Sequence, residues 1–461
     1  MKHALWLGAA VSACAARVVS PSPTPVPTAD PPRAAASVPA PVDAGPLPSQ
    51  SKETRIVARM LRRVEAARGL ASIKLVPGVR LARSDLIAQV KAHVSRELPP
   101  KAIHNEGLAL QLFGFIPTRF DYEGAEYRLL EEQLAGYYEP SDGTMYLASD
   151  LATEDANATL AHELVHALQD QRWHLEERSK YRPGDGDRSE AFSALAEGDA
   201  TSAMFDVMIA RADPHGGKTA ISIPDQVFVE QIRAGMSLGP GADTPRVMRS
   251  SLAAPYIYGT LFVNALRRRG GWAAVDGAWD DAPTTTEQIL HVEKWDVREP
   301  PQKVTPPPFA TLGGGWHVED EDSEGELGAR IAFEEWMDAT TAATVSSGWG
   351  GDRGVLLASG DAAAFAWRLR YDAGATPFEL SKRAYEALDQ GWDQSLGPPN
   401  TRAAAFVCRE RADRGPIAIG LAANDVIMVL GPAKTSGPSW TSASSCAKAR
   451  QWVREIAAAA P

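Results

Sequence analysis

The chain has 461 residues, with 44% apolar and 23% charged side chains, so it exceeds one compact core and predicts two or three domains. Its 47 Lys and Arg against 58 Asp and Glu leave a net charge of −11, which argues against a nucleic-acid partner. The three cysteines, Cys14, Cys408 and Cys446, are too few and too dispersed for a thiolate zinc ribbon or an iron–sulfur cluster, so any metal must be held by His and carboxylate.

Lys2, the apolar run Ala4 to Ala10 and the small residues before Cys14 describe an export signal too short to span a bilayer. Val11-Ser12-Ala13-Cys14 resembles the bacterial lipobox, which implies a signal peptide over 1–14 and a lipidated Cys14 as the first mature residue. By the same resemblance Ala15 favours the outer membrane, facing the periplasm or the cell surface. The plain alternative is an ordinary signal peptide with an incidental cysteine. Residues 15–50 are rich in Pro, Ala and Ser and cannot build a core, so they read as a semi-rigid linker.

A folded body is expected over 51–300. Ile56, Val57, Met60, Leu61 and Val64 follow helical spacing, and a second helix is expected near Ser84, with that serine as its cap. Tyr137-Tyr138-Glu139 and Thr144 to Leu147 flank Asp142-Gly143, the pattern of a hairpin. Helices are expected over 156–173, 190–210 and 258–269. The Pro-rich stretch 299–308 closes this unit. Beyond it, 355–357, 363–369, 403–408 and 426–430 read as strands, and 378–388 and 445–457 as helices, giving a smaller α+β domain over 309–461. Glu319-Asp320-Glu321-Asp322 reads as a solvated loop. Cys408 and Cys446 either pair, which an exported chain favours and which contributes about 4 kcal/mol by loop closure, or remain two buried thiols.

Chemistry concentrates in His162-Glu163-Leu164-Val165-His166. Histidines four apart sit one turn above each other on a helix, so both imidazoles reach one tetrahedral ion, while Glu163 faces the open, water-filled position. Gln169 and Arg172 stand where a further glycine and histidine would complete a metzincin pattern. A third ligand must therefore come from another segment. Glu197, in the small-residue helix Ala194-Leu195-Ala196-Glu197-Gly198, is the candidate, with Glu190 as its rival. Asp170 or a surface role for it, and Thr201 beside Glu197, are the candidate supporting contacts.

His162-Glu163-x-x-His166 followed by Glu197-Gly198-x-Ala200 resembles the gluzincin zinc metallopeptidases, whose third ligand is a glutamate from the next helix. Pro255-Tyr256-Ile257-Tyr258-Gly259 resembles the Tyr-x-x-Gly segment of aminopeptidase-type gluzincins. Gly136-Tyr137-Tyr138, Gln169-Asp170-Gln171, Thr285 to His291 and Gly348 to Arg353 resemble a group of uncharacterised exported bacterial proteins with this motif. The resemblance implies a zincin-like, helix-rich catalytic domain with a small sheet, in an α+β fold. It further implies Zn²⁺ on His162, His166 and Glu197, Glu163 as general base, and Tyr256 as hydroxyl donor to the oxyanion. Tyr258 and His291 are the alternatives to Tyr256, which as a plain core aromatic would have no such role.

The expected activity is thus metallopeptidase, on a peptide or protein substrate that could also align along the hairpin edge. Its runner-up is a surface-anchored binding or scaffold lipoprotein with a non-catalytic metal site. A hydrolase of non-peptide amides is a third reading.

Overall fold

The computed structural model describes residues 51–460 except 151–152, 214, 238–243, 377 and 437–438. The expected signal peptide, its Cys14 and the linker at 15–50 lie outside the described residues. The fold is α+β.

The Ser51 hydroxyl accepts from the Thr54 N–H and starts α1, Lys52–Arg68, which ends on Gly69 in the left-handed conformation at φ 75°. β1, Gly78–Leu81, and α2, Arg83–Glu97, follow. The expected serine cap on α2 is not used: Ala82 holds the cap position, and Ser84 already lies in the first turn. α3, Ala102–Phe113, and α4, Tyr122–Gln133, lead to the hairpin of β2, Gly136–Glu139, and β3, Thr144–Ala148. Gly143 turns that hairpin with φ 69°, which a side chain would resist. β1 pairs with β3 in parallel, so the small sheet runs β1-β3-β2 and leaves β2 at an edge.

Next come α5, Thr153–Trp173, the short α6, Leu175–Arg178, and α7, Gly186–Ala212. Every residue of α7 from Glu190 to Val207 is buried, so this helix is the axis of the first unit. α8, Asp225–Ser237, precedes α9, Arg246–Asp280, which is longer than the pattern at 258–269 suggested. α9 runs through Pro255 and breaks its helical geometry only at Gly270 and Gly271. α10, Thr286–Leu290, and α11, Val292–Asp296, end this part. None of the helices among the described residues is long and apolar enough to cross a membrane.

The C-terminal part is one antiparallel sheet. Its strands are β4, His317–Asp322, β5, Trp349–Ser359, β6, Ala362–Tyr371, β7, Thr401–Ala403, β8, Phe406–Arg409, β9, Ile417–Ala422, and β10, Asp425–Lys434. They lie in the order β4-β5-β6-β10-β9-β8-β7, and β11, Thr441–Ser442, adds to the end of β10. The acidic run expected as a loop is thus the edge strand β4, and the stretch at 403–408 divides at a turn into β7 and β8.

Period-two alternation sorts this sheet into two faces. Met428, Leu430, Trp367 and Leu369 pack against α12, Gly325–Glu334, α13, Ala339–Ser346, and α14, Glu379–Ser395, with Leu112 and Phe113 of α3 joining them. Ile427, Val429 and Ala366 face Trp452, Val453 and Ile456 of α15, Cys446–Ala458. A disulfide joins Cys408 on β8 to Cys446 at the start of α15.

Two of the sequence motifs make buried junctions, one tying β5 to β6 and the start of α12, the other tying α10 to α7, and Asp322 of β4 joins the sheet to α7. Buried Asp352 accepts from Trp349 Nε1 and Trp367 Nε1 at 3.0 and 2.8 Å, and from the N–H groups of Glu324 and Gly325. Asp187, in the first turn of α7, accepts from the Thr286 N–H and hydroxyl at 2.8 and 2.6 Å, and Asp322 accepts from the Gly186 N–H at 2.8 Å.

Candidate metal centre

Ala158, Leu160, Ala161, Leu164, Val165, Ala167 and Leu168 are all buried on α5, which is wrapped by apolar contacts on nearly every side. The stripe left polar is His162, His166 and Gln169, at i, i+4 and i+7, and it faces α7. His162 Nε2 lies 3.0 Å from Glu197 Oε2 and 3.1 Å from His166 Nε2, and His166 Nε2 lies 3.7 Å from the same carboxylate oxygen. Tetrahedral bonds of about 2.0–2.1 Å set donor atoms about 3.3–3.4 Å apart, so the sides of this triangle bracket the zinc spacing. Two imidazoles and one carboxylate are also a donor set that zinc accepts in catalytic sites. No fourth His, Cys, Asp or Glu among the described residues joins the cluster, and Glu190 is outside it.

Gln169 decides which imidazole nitrogen carries the proton. Its Nε2 donates to Ala196 O at 3.0 Å and Asp199 Oδ2 at 3.2 Å, so its Oε1, 2.7 Å from His166 Nδ1, can only accept. In the neutral imidazole the proton therefore sits on Nδ1, which leaves the Nε2 lone pair of His166 to point into the triangle. Asp199 is held in turn by Arg68 Nε at 2.6 Å and Trp279 Nε1 at 2.8 Å. Fully buried Arg68 also reaches Asp276 at 2.7 Å and lies over the Trp272 ring. Replacing Gln169 by Leu is expected to weaken zinc binding about 10- to 100-fold, measured by competition with a chromogenic chelator. An unchanged affinity would remove Gln169 from this role.

The two supporting contacts expected from the sequence are placed differently. Asp170 accepts from the Tyr138 hydroxyl at 2.9 Å, since one residue beyond Gln169 it turns toward the hairpin. The Thr201 hydroxyl makes no hydrogen bond among the described residues. Gln169, Asp199, Arg68 and Trp279 are the supporting residues that sequence reasoning missed.

Glu163 lies on the hairpin side. Its Oε2 accepts from the Tyr138 N–H at 3.0 Å, while its Oε1 is buried without a hydrogen-bond partner among the described residues. That N–H belongs to the free edge of β2, and all four β2 residues are buried. A peptide adding to this edge would therefore meet a donor already held by Glu163.

Burial pushes the Glu163 carboxyl well above the usual carboxylate range, against the Tyr138 N–H and with the charge of Glu197 adding to the rise. Burial lowers the His162 imidazole despite Glu197. For His166, burial is outweighed by the Glu197 charge and by bonds to Glu197 and Gln169, so its pKa rises. Glu197 is held at about 2, because the two imidazoles outweigh its own desolvation.

Tyr256 on α9 is buried beside His162, with ring centroids 5.9 Å apart. The other two candidates stand elsewhere. Arg330 of α12 lies over the Tyr258 ring, and His291 Nε2 is 3.0 Å from Glu326 Oε1, also on α12. Tyr256 reaches His162 because α7 and α9 cross at Gly198 and Gly259. A Cβ on Gly198 would lie 2.1 Å from the Gly259 carbonyl carbon, and one on Gly259 would lie 1.8 Å from Ala194 O. Glycine is needed at both positions for this approach.

A second carboxylate cluster, Glu287, Glu299 and Asp372, already surrounds a cation. Lys294 Nζ donates to all three, at 2.5, 3.0 and 3.0 Å.

A family described as a domain of unknown function (DUF8575) matches residues 314–438, which contain none of the residues of the triangle. No curated protein matches the chain in sequence. Among solved structures, the crystal structure of a "putative hydrolase with a novel fold" from Chloroflexus aurantiacus is 18% identical, covering 55% of this chain and 92% of its own. Its TM-score of 0.31 is too low to carry an argument.

Proposed function

We propose that this chain is a zinc-dependent hydrolase that cleaves peptide bonds. His162, His166 and Glu197 hold the metal, Glu163 is the general base, and Tyr256 offers a hydroxyl to the substrate. The triangle of donor atoms carries the reading: its sides of 3.0, 3.1 and 3.7 Å fit zinc, and a structural zinc site would ordinarily be closed by a fourth protein ligand.

Zinc held by His162, His166 and Glu197 would supply a Lewis acid for the scissile carbonyl and lower the pKa of a water. Glu163 would accept the proton of the attacking water on Oε1, the oxygen that Tyr138 does not hold, and return it to the departing amine. The Tyr138 N–H fixes the carboxylate's orientation while this happens. Tyr256, packed beside His162, donates to the carbonyl oxygen as negative charge develops there. Gln169 keeps His166 in the tautomer that binds, and the surrounding apolar side chains exclude bulk water.

The body is placed outside the cytoplasm on a lipid anchor at Cys14, a reading supported by the lipobox-like sequence and by the Cys408–Cys446 bridge, since disulfides persist in oxidising compartments. The test is zinc content and cleavage of an unfolded protein by the purified chain, before and after chelation. One zinc per chain is expected, with cleavage lost on chelation and restored by zinc. Cleavage that survives chelation would overturn the mechanism. A zinc-loaded chain inert toward peptides and other amides would favour the scaffold reading.

A further inference from the structure

The solvent side of α1 is built from cations. Lys52, Arg55, Arg59, Arg62 and Arg63 are exposed, and at helical spacing they occupy the face opposite buried Val57, Met60, Leu61 and Val64. None of these cationic side chains has an ion-pair or hydrogen-bond partner among the described residues.

On one flank this face opens into a cleft of about 530 Å³ that Arg63 shares with Arg211 and Lys218, two more exposed cations without a partner among the described residues. Asp206, also in the cleft wall, does not neutralise them, because Arg267 binds it at 2.5 Å. On the other flank Glu65 accepts from the Ser72 N–H and hydroxyl at 2.8 and 2.6 Å, and Gln171 of α5 accepts from the Ile73 and Lys74 N–H groups at 2.7 and 3.0 Å. There Ile73 and Leu75 are 68% and 54% exposed, on either side of exposed Lys74.

Unopposed cations gathered on one face make a local positive field that attracts anions, even on a chain of net charge −11. A small anion would need only the cleft, whereas the stripe from Lys52 to Arg63 extends about 16 Å along the helix axis. Exposed aliphatic residues beside such a stripe suit a headgroup boundary, where cations meet lipid phosphates and apolar side chains enter the acyl layer. α1 is also the element that the Pro-rich stretch 15–50 joins.

We propose that this face docks on an anionic phospholipid bilayer. α1 lies along the headgroups, Ile73 and Leu75 enter the acyl boundary, and the cleft receives a headgroup phosphate between Arg63, Arg211 and Lys218.

The test uses the full chain carrying Cys14→Ser, so that no acyl chain contributes, in co-sedimentation with vesicles of phosphatidylcholine alone or in equimolar mixture with phosphatidylglycerol. Binding is expected to the mixed vesicles, weakened by salt. Each cation near such a surface is worth roughly five-fold, so Arg55→Glu/Arg59→Glu/Arg62→Glu should lower binding about 100-fold or more with an unchanged melting temperature. Ile73→Ser/Leu75→Ser should lower the binding that persists at high salt. Lys448→Glu/Arg454→Glu, exposed cations on α15, should leave binding as it was. Equal binding to both vesicle types, indifference to the triple change, or an equal loss in the α15 variant would overturn the proposal. Retention on a soluble polyanion such as heparin without vesicle binding would overturn it in favour of a polyanion partner.

Discussion

Glu163→Gln should bind zinc as the wild type does and cleave peptide about 10²- to 10⁴-fold more slowly. The amide matches the carboxylate in size, and its oxygen can still accept from the Tyr138 N–H, 3.0 Å away in the native chain. What it cannot do is accept the water's proton. Glu163 is not part of the triangle, so metal content is a separate readout from turnover. Elemental analysis beside kcat on a fluorogenic peptide decides the matter. Equal turnover in the two chains would end the general-base role, whereas joint loss of zinc and turnover would make Glu163 a structural neighbour of the ligands.

The second large effect is expected at the helix crossing. On an exposed helix Gly→Ala stabilises by up to about 1 kcal/mol. Gly259→Ala should instead cost about 3 kcal/mol or more, because its methyl group would meet Ala194 O at 1.8 Å, and a backbone oxygen within a buried helix cannot rotate away. Parting α7 from α9 would also shift Glu197, next to Gly198, and Tyr256, three residues before Gly259. Urea unfolding of the metal-free chain and zinc competition should therefore both register the change. An unaltered midpoint would mean that the two backbones are not in the contact described.

How far the sequence led depends on range. The His162 and His166 pair was legible because a helix brings i and i+4 together by itself, and the hairpin because Asp142-Gly143 names its own turn. The network behind His166 was not legible, since Arg68, Gln169, Asp199 and Trp279 come from four helices. One signal was nevertheless present. Arg68 continues the apolar line Val57, Leu61, Val64, and a cation at a core-facing position of an amphipathic helix must find a buried anion.

Other differences have local causes. α9 was read short because Pro255 and the Gly270-Gly271 pair look like ends, whereas the helix passes the first and only bends at the second. The acidic run 319–322 looked solvated, yet it is an edge strand on which Asp322 turns inward to the Gly186 N–H. The two-faced C-terminal sheet was legible in its strands and not in their order, because pairing across β6 and β10 joins segments far apart in the chain.

α7 behaves as a beam fixed at two supports. Near one end Asp187 is gripped by Thr286, and toward the other Asp206 is gripped by Arg267. Glu197 stands between them, about 15 Å from the first support and about 14 Å from the second. A beam held this way cannot slide or roll without releasing a buried carboxylate, so the position of the Glu197 oxygen depends on contacts more than two helical turns away as well as on the crossing at Gly198. Tolerance to substitution should then follow mechanical linkage rather than distance. Thr286 and Arg267, remote from the two histidines, belong to the same constrained set as Gly198.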